Sequence, residues 1–174
     1  MIIKAKPEDA RGIAEVHVKS WQQAYKGIVD EDYLKSMSVE RRYTLWKKSL
    51  AQDHHVYVLK ENSTVVGFAA FGKERTNSFG IDGELYAIYI LEEYKRKGAG
   101  TEFLRQGIRD LIAEGFSSIN VWVLEDNPSK HFYESFTPEH LGEEIITIGG
   151  RDFKELCYGW SDIHNLYQKI RKKC

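Results

Sequence analysis

Hydrophobic and polar positions alternate in two rhythms along this chain, and each change of rhythm marks a change of element. Residues 2–6 read as a short first strand. Ala10, Ile13, Ala14, His17, Trp21 and Ala24 then recur every three or four residues, which is one buried stripe of a helix running to about residue 25. Pro7 near its start is harmless, because a first-turn N–H has no intrahelical partner. Gly27 ends it. A short helical turn is predicted over 31–36. Ser38 can cap a further helix, with Val39, Tyr43 and Trp46 on one face and Leu50 following.

The period then drops to two. Val56–Leu59 and Val65–Phe71 are strand-like runs on either side of the turn Glu61-Asn62-Ser63. A polar loop, Lys73–Gly83, leads to a strand over 84–91. The helix that follows carries Phe103, Leu104, Gly107, Ile108, Leu111 and Ile112 as its core stripe and stops at Gly115, a C′ glycine. Ser118–Leu124 alternate as a central strand. Asn127-Pro128 opens a short helix through Glu134. Residues 143–148 and 151–160 are two strands joined by Gly149-Gly150, a strong hairpin signal. Ser161 starts a last helix, His164–Lys172. The order β-α-α-β-β-β-α-β-α-β-β-α, without repeats or linkers, predicts one mixed α/β layered domain over 1–174.

Composition narrows the function classes. A length of 174 residues suffices for one core, and 42% apolar with 29% charged residues is the balance of a soluble globular protein. A net charge of -1 argues against a general nucleic-acid binder; the basic run Lys169–Lys173 reads as a solvated helix end. No run reaches the roughly 18 apolar residues of a membrane span, and Met-Ile-Ile-Lys-Ala-Lys has no signal-peptide core. Cys157 and Cys174 make no disulfide framework, so a cytoplasmic, reduced protein is expected, with Cys157 a small core residue. Asp53-His54-His55 lacks further ligands at metal spacing, so no metal is predicted.

The chemistry concentrates in Glu84–Gly100. An aromatic and β-branched strand enters a turn, Lys95-Arg96-Lys97-Gly98-Ala99-Gly100, and a helix starts at once. First-turn amides lack intrahelical partners and carry the positive end of the helix dipole. Gly98 and Gly100 let a ligand approach without a Cβ in its way, and three cations add charge. The implied ligand is a pyrophosphate. Position 103 is Phe and no Gly-Lys-Ser/Thr follows, so neither a dinucleotide fingerprint nor a P-loop fits.

Two segments resemble the GNAT superfamily of N-acetyltransferases. Tyr94–Gly100 is similar to its Gln/Arg-x-x-Gly-x-Gly/Ala loop, and Asn127-Pro128-Ser129-Lys130-His131-Phe132-Tyr133-Glu134 to its Asn…Phe-Tyr-Glu segment. The closing hairpin looks similar too. Lys95 departs from the usual Gln or Arg. After Tyr133-Glu134 the family usually reads Lys-Leu-Gly-Phe; here it is Ser135-Phe136-Thr137-Pro138, without the glycine and with a proline added.

The resemblance implies a single-domain mixed, mostly antiparallel sheet with helices on both faces and a splayed central strand pair. It implies acetyl-CoA as co-substrate, held at the pyrophosphate by Lys95, Arg96, Lys97, Gly98, Ala99 and Gly100. Pantetheine would run along the backbone of Ile88, Tyr89 and Ile90. The side chains of Ile88 and Ile90, read by themselves, are core. Asn127, Lys130 and Phe132 would contact the cofactor; Asn127 is equally a turn or cap residue, and His131 contacts either CoA or solvent. Tyr133 would protonate the leaving thiolate, although Phe132-Tyr133 alone reads as helix packing. Glu84 would deprotonate the amine through water, although a lone Glu at a strand start is also commonly solvated. His17, on an apolar stripe, reads as a packed core histidine. Trp21, Tyr25 and Tyr33 are candidates to line the acceptor pocket, with Asp30, Glu31 and Asp32 either attracting a cation or forming a solvated loop.

The implied activity is direct acetyl transfer to a primary amine, a small molecule such as a polyamine or a protein amine. The alternative is a CoA-binding regulatory domain without turnover. Either fits a monomer or homodimer that binds neither nucleic acid nor membrane.

Overall fold

The computed structural model describes residues 1–52 and 55–173. Its elements are β1 (Ile2–Lys4), α1 (Ala10–Ala24), α2 (Glu31–Ser36), α3 (Val39–Leu50), β2 (His55–Glu61), β3 (Thr64–Lys73), β4 (Gly83–Ile90), α4 (Ala99–Ala113), β5 (Ile119–Leu124), α5 (Lys130–Glu134), β6 (Glu139–Ile148), β7 (Arg151–Trp160) and α6 (Ile163–Arg171). The strands form one sheet in the order β1-β2-β3-β4-β5-β7-β6. Every adjacent pair is antiparallel except β4 with β5.

That parallel pair organises the molecule. β4 and β5 are in register only over Gly83–Leu85 and Ile119–Val121. Beyond it they part, β4 staying with β3 and β5 with β7. A bulge accompanies the divergence: Ala70 faces Ala87 and Phe71 faces Leu85, so Tyr86 is the extra residue. Its hydroxyl donates to the Lys73 carbonyl at 2.5 Å. Gly72 makes room for it, since a Cβ there would lie 2.5 Å from the Tyr86 hydroxyl.

Helices cover both faces. Phe103, Ile108 and Leu111 of α4 and Ile163, Leu166 and Ile170 of α6 bury against Val121, Val123 and Leu156. Ile13 and Val16 of α1, backed by Trp46 and Leu50 of α3, bury against Val56, Val58 and Phe68 on the other face. The end of α1 and α2 close over β5–β7 through Tyr25, Val29 and Leu34 against Leu124, Ile148 and Phe153.

Most elements lie where periodicity places them, with differences at the ends. β6 starts at Glu139 rather than 143, because a register shift between His140 and Gly142 breaks its alternation. Asp162, not Ser161, caps α6, accepting from the Asn165 N–H at 3.0 Å. The predicted hairpin turn forms, with Gly149 at φ 60° and Gly150 at φ 79°.

Thr137 occupies the left-handed region at φ 51°, at the position of the resembled family's glycine. For a β-branched residue this is strained; its hydroxyl accepts from Lys169 Nζ across the chain. Thr137→Gly is expected to raise the thermal unfolding midpoint by about 2–4 °C, on the order of 1 kcal/mol. A midpoint at or below that of the wild type would mean that the Lys169 bond outweighs the strain.

Candidate active site

Where β4 and β5 part, a cleft of about 330 Å³ opens through the sheet. Leu91 donates its N–H to the Val66 carbonyl of β3 at 3.0 Å. Strand amides alternate in direction, so the Tyr89 N–H also faces β3 while those of Ile88 and Ile90 point away from β3, to the side where β5 has parted from β4. The side chains of Ile88 and Ile90 meanwhile pack on the α4 core. The side-chain reading of these two residues as core is what the packing shows. Tyr89 enters by its ring, whose hydroxyl accepts from Trp21 Nε1 at 3.0 Å.

Beyond Ile90 the chain turns into α4, where Lys97, Gly98, Ala99 and Thr101 line a separate hollow beside Ile2 and Leu59. Lys95 spends its N–H on the Glu92 carbonyl at 3.2 Å and pairs its ammonium with Glu92 at 2.6 Å. Arg96 at φ 61° and Gly98 at φ 82° then bend the backbone. The first helical return is Glu102 N–H to the Gly98 carbonyl, at 3.0 Å. Among the described residues, the amides from Arg96 to Thr101 make no hydrogen bond. These are the donors an anion at a helix start would need. The two glycines serve different ends: no atom lies within 4 Å of a Cβ placed on Gly98, whereas one on Gly100 would lie 3.2 Å from the Phe132 ring. Gly100 thus lets α4 sit on α5, and Phe132 supports the loop from below.

The second segment forms the opposite wall. Asn127 accepts from the Ser129 N–H at 2.9 Å and donates to the Tyr25 hydroxyl at 3.0 Å. It is a turn residue and a cleft residue at once. Lys130, the first residue of α5, is half-buried and makes no ion pair among the described residues. His131 is exposed and lies near Glu134 at 3.6 Å. Tyr133 is 7% exposed and lines the cleft. Its phenol makes no hydrogen bond among the described residues, and burial, then the neighbouring Tyr25, push it well above the ordinary tyrosine range. It stays protonated.

One end of the cleft is acidic. Glu84 lies there at 2% exposure, neither solvated nor free: Arg75 holds it through Nη2 at 2.6 Å, Nε at 3.3 Å and its own N–H at 3.2 Å. Arg75 also stacks on the Tyr86 ring at 4.3 Å. Glu144 and Glu155 line the same end, directly opposite each other across β6 and β7. Sequence reasoning missed both. Counting outward in step from Gly149-Gly150 would have found a like-charge cross-strand pair, an arrangement that costs stability. Burial, then Glu144 and Glu84, raise the Glu155 carboxyl above the ordinary range.

Trp21 and Tyr25 line the cleft, ring on ring at 4.4 Å. Tyr33 does not: its Cβ packs on Gly149, 2.9 Å from where a Cβ would stand. Asp30 caps α2 through the Tyr33 N–H at 3.0 Å, and Glu31 pairs with Lys35 at 3.1 Å, so this acidic run is a helix start rather than a pocket wall.

His17 is a core histidine. It accepts from Trp46 Nε1 at 3.2 Å and stacks on Tyr89, and burial lowers its pKa to about 3. The unfolded chain takes that proton near 6.5, so the native state binds fewer protons below that pH. Stability is therefore lost as the pH falls from 6.5 towards 3. His17→Gln, which can still accept from Trp46, is expected to flatten that slope in thermal unfolding between pH 7 and 4.5. Cys157 is buried, its thiol pushed up to about 12 by burial, then by Glu84 and Glu74, which suits a core residue and not a nucleophile.

The comparisons with known proteins agree with this fold. The sequence profile described as "Acetyltransferase (GNAT) family" matches residues 16–137. The chain belongs to the GNAT family. The uncharacterized N-acetyltransferase YuaI of Bacillus subtilis (strain 168) is 44% identical over 164 residues, 94% of each chain. Among solved structures, the fold is similar to paia N-acetyltransferase from Thermoplasma acidophilum in complex with coenzyme A. That pair has a TM-score of 0.64 and 24% identity, over 90% of this chain and 96% of that one. It is also similar to yncA of Salmonella typhimurium, solved with acetyl-CoA, with a TM-score of 0.70 and 17% identity over 92% of each.

In this GNAT protein, no group of three or more His, Cys, Asp or Glu among the described residues is arranged to hold a metal ion. Asp53 and His54 of the run noted in the sequence lie outside the described residues, as does Cys174. Among the described residues no helix is long and apolar enough to cross a membrane.

Proposed function

We propose that this chain is an acetyl-CoA-dependent N-acetyltransferase acting on a primary amine, with residues 1–174 working as one domain in the cytoplasm, as a monomer or homodimer. One observation carries the reading: the cleft lined by Tyr133, by Leu85–Tyr89 of β4 and by Glu84, Glu144 and Glu155 lies along the strand that runs on into the unpartnered helix-start amides of α4. That is the order a thioester substrate and an amine would need.

Each part has a task in acyl transfer. The amides from Arg96 to Gly100, with Lys97 and the helix dipole, bind the pyrophosphate. The Ile88 and Ile90 amides hold pantetheine as an added strand, and the Ile90 N–H donates to the thioester oxygen as it gains charge. Asn127 keeps the 127–130 turn in place beside the slot, and Lys130 and Phe132 flank the loop. The amine nitrogen attacks the carbonyl carbon, the C–S bond breaks, and Tyr133 donates to the departing sulfur. Burial penalises thiolate and phenolate alike, so a protonated phenol beside the sulfur favours the collapse. Trp21 and Tyr25 wall the acceptor side. The acidic end favours a cationic acceptor such as a polyamine over a neutral one.

The test is release of free CoA, followed with a thiol-reactive dye, from acetyl-CoA against polyamines, amino acids, aminoglycosides and lysine peptides. Release with a cationic amine supports the reading. One observation favours the alternative, a CoA-binding regulatory domain: both Glu84 oxygens are engaged by Arg75. Tight acetyl-CoA binding with no release against any amine would establish that alternative instead.

A further inference from the structure

Resting on the acetyl-transfer reading, we propose that Glu155, and not Glu84, is the carboxylate that takes the proton from the acceptor's ammonium group. Three carboxylates line the acidic end of the cleft, and they are not equivalent. Glu84 is tied to Arg75 by two side-chain bonds and a backbone bond. Glu144 is exposed on the edge strand β6. Glu155 is half-buried on β7, opposite Leu124 where β5 borders the slot. Neither Glu144 nor Glu155 has an ion pair or a side-chain hydrogen bond among the described residues. Among the described residues Arg75 is the one cation lining the cleft, and it is committed to Glu84.

The fold therefore holds two facing carboxylates against their own repulsion, and among the described residues no cation is paired with either. An incoming ammonium supplies the missing charge. The groups that face Glu155 are Glu144 from β6, Glu84 from β4, Arg75 from the loop before β4, Tyr25 at the end of α1 and Cys157 on its own strand. The negative groups outnumber the single guanidinium. Together with burial, they raise the proton affinity of Glu155 towards that of a working base.

The step balances as follows. The R–NH3⁺ group loses one proton to the Glu155 carboxylate, which later passes it to solvent. The freed lone pair attacks the thioester carbon, the C–N bond forms, and the C–S bond breaks. The thiolate takes the Tyr133 proton, and the second proton leaving nitrogen restores the phenol. The products are the amide, the CoA thiol and one released proton.

The experiment compares wild type, Glu155→Gln and Glu155→Asp on the same amine panel, with acetyl-CoA affinity measured separately. Glu155→Gln is expected to lower kcat about 100-fold or more with acetyl-CoA affinity unchanged. The deficit should shrink as the pH approaches the amine's own pKa, where free amine no longer needs a base. Glu155→Asp, which keeps the carboxylate one methylene further back, should recover part of the rate. Removing one of two facing charges should also leave the Gln variant at least as stable at pH 7, its midpoint rising by roughly 1–2 °C. A kcat within threefold of wild type, or a raised KM with kcat intact, overturns the proposal. A wild type that binds acetyl-CoA yet acetylates no amine overturns the acetyl-transfer reading itself, and this role falls with it.

Discussion

Gly98→Glu is expected to abolish measurable acetyl-CoA binding. The substitution places a carboxylate among the unpartnered amides from Arg96 to Thr101, where the pyrophosphate is proposed to sit. Two unit charges about 4 Å apart repel by about 4 kcal/mol at an effective dielectric of 20, and the pyrophosphate carries more than one charge. Every 1.4 kcal/mol is tenfold in affinity, so even a partly screened interaction costs more than about 100-fold. Sterics are not the cause, since no atom lies within 4 Å of a Cβ on Gly98. Backbone strain at φ 82° is controlled by Gly98→Asn, which tolerates the left-handed region and adds no charge. By calorimetry, Asn is expected to keep most of the affinity and Glu to lose it. Equal affinity for Gly98→Glu and wild type would remove this loop from the phosphate site.

Tyr133→Phe is expected to lower kcat by about 100-fold, within the range of general acid catalysis, with acetyl-CoA affinity nearly unchanged. The two largest alternatives separate cleanly. The phenol has no hydrogen bond among the described residues, so its loss strands no buried partner and the unfolding midpoint should stay within about 1 °C. A packing role would predict unchanged turnover as well, since the ring that packs against Phe132 is kept in Phe. Steady-state rates at saturating acceptor decide it; a variant at wild-type turnover takes Tyr133 out of the chemistry.

The candidate site was legible in the sequence wherever its physics is local. The bend at Arg96–Gly98, the free first turn of α4, the Asn127 turn and the short helix carrying Tyr133 all follow from residues a few positions apart. Glu84 shows the opposite. Its place at the head of β4 was readable, but not its engagement, because Arg75 reaches it from a loop of irregular backbone. Tyr33 was misplaced for a similar reason: its helix was correctly delimited, yet which neighbour it meets depends on the β6–β7 turn more than a hundred residues later. Gly100 was read as clearance for a ligand, whereas Phe132 from a separate helix occupies that side.

By itself, the sequence determined the element order, most caps and turns, the glycine-bearing start of α4 and the family. Periodicity, φ preference and unpaired helix-end amides act within a few residues and are written into the chain directly. The tertiary structure alone decided which carboxylates share the cleft. The sheet order β4-β5-β7-β6 and the register of Glu144 against Glu155 bring Glu84, Glu144 and Glu155 to one end and assign the cleft's guanidinium to the first of them. That competition among charges for one partner depends on distances between strands far apart in the chain, and only the folded sheet sets those distances.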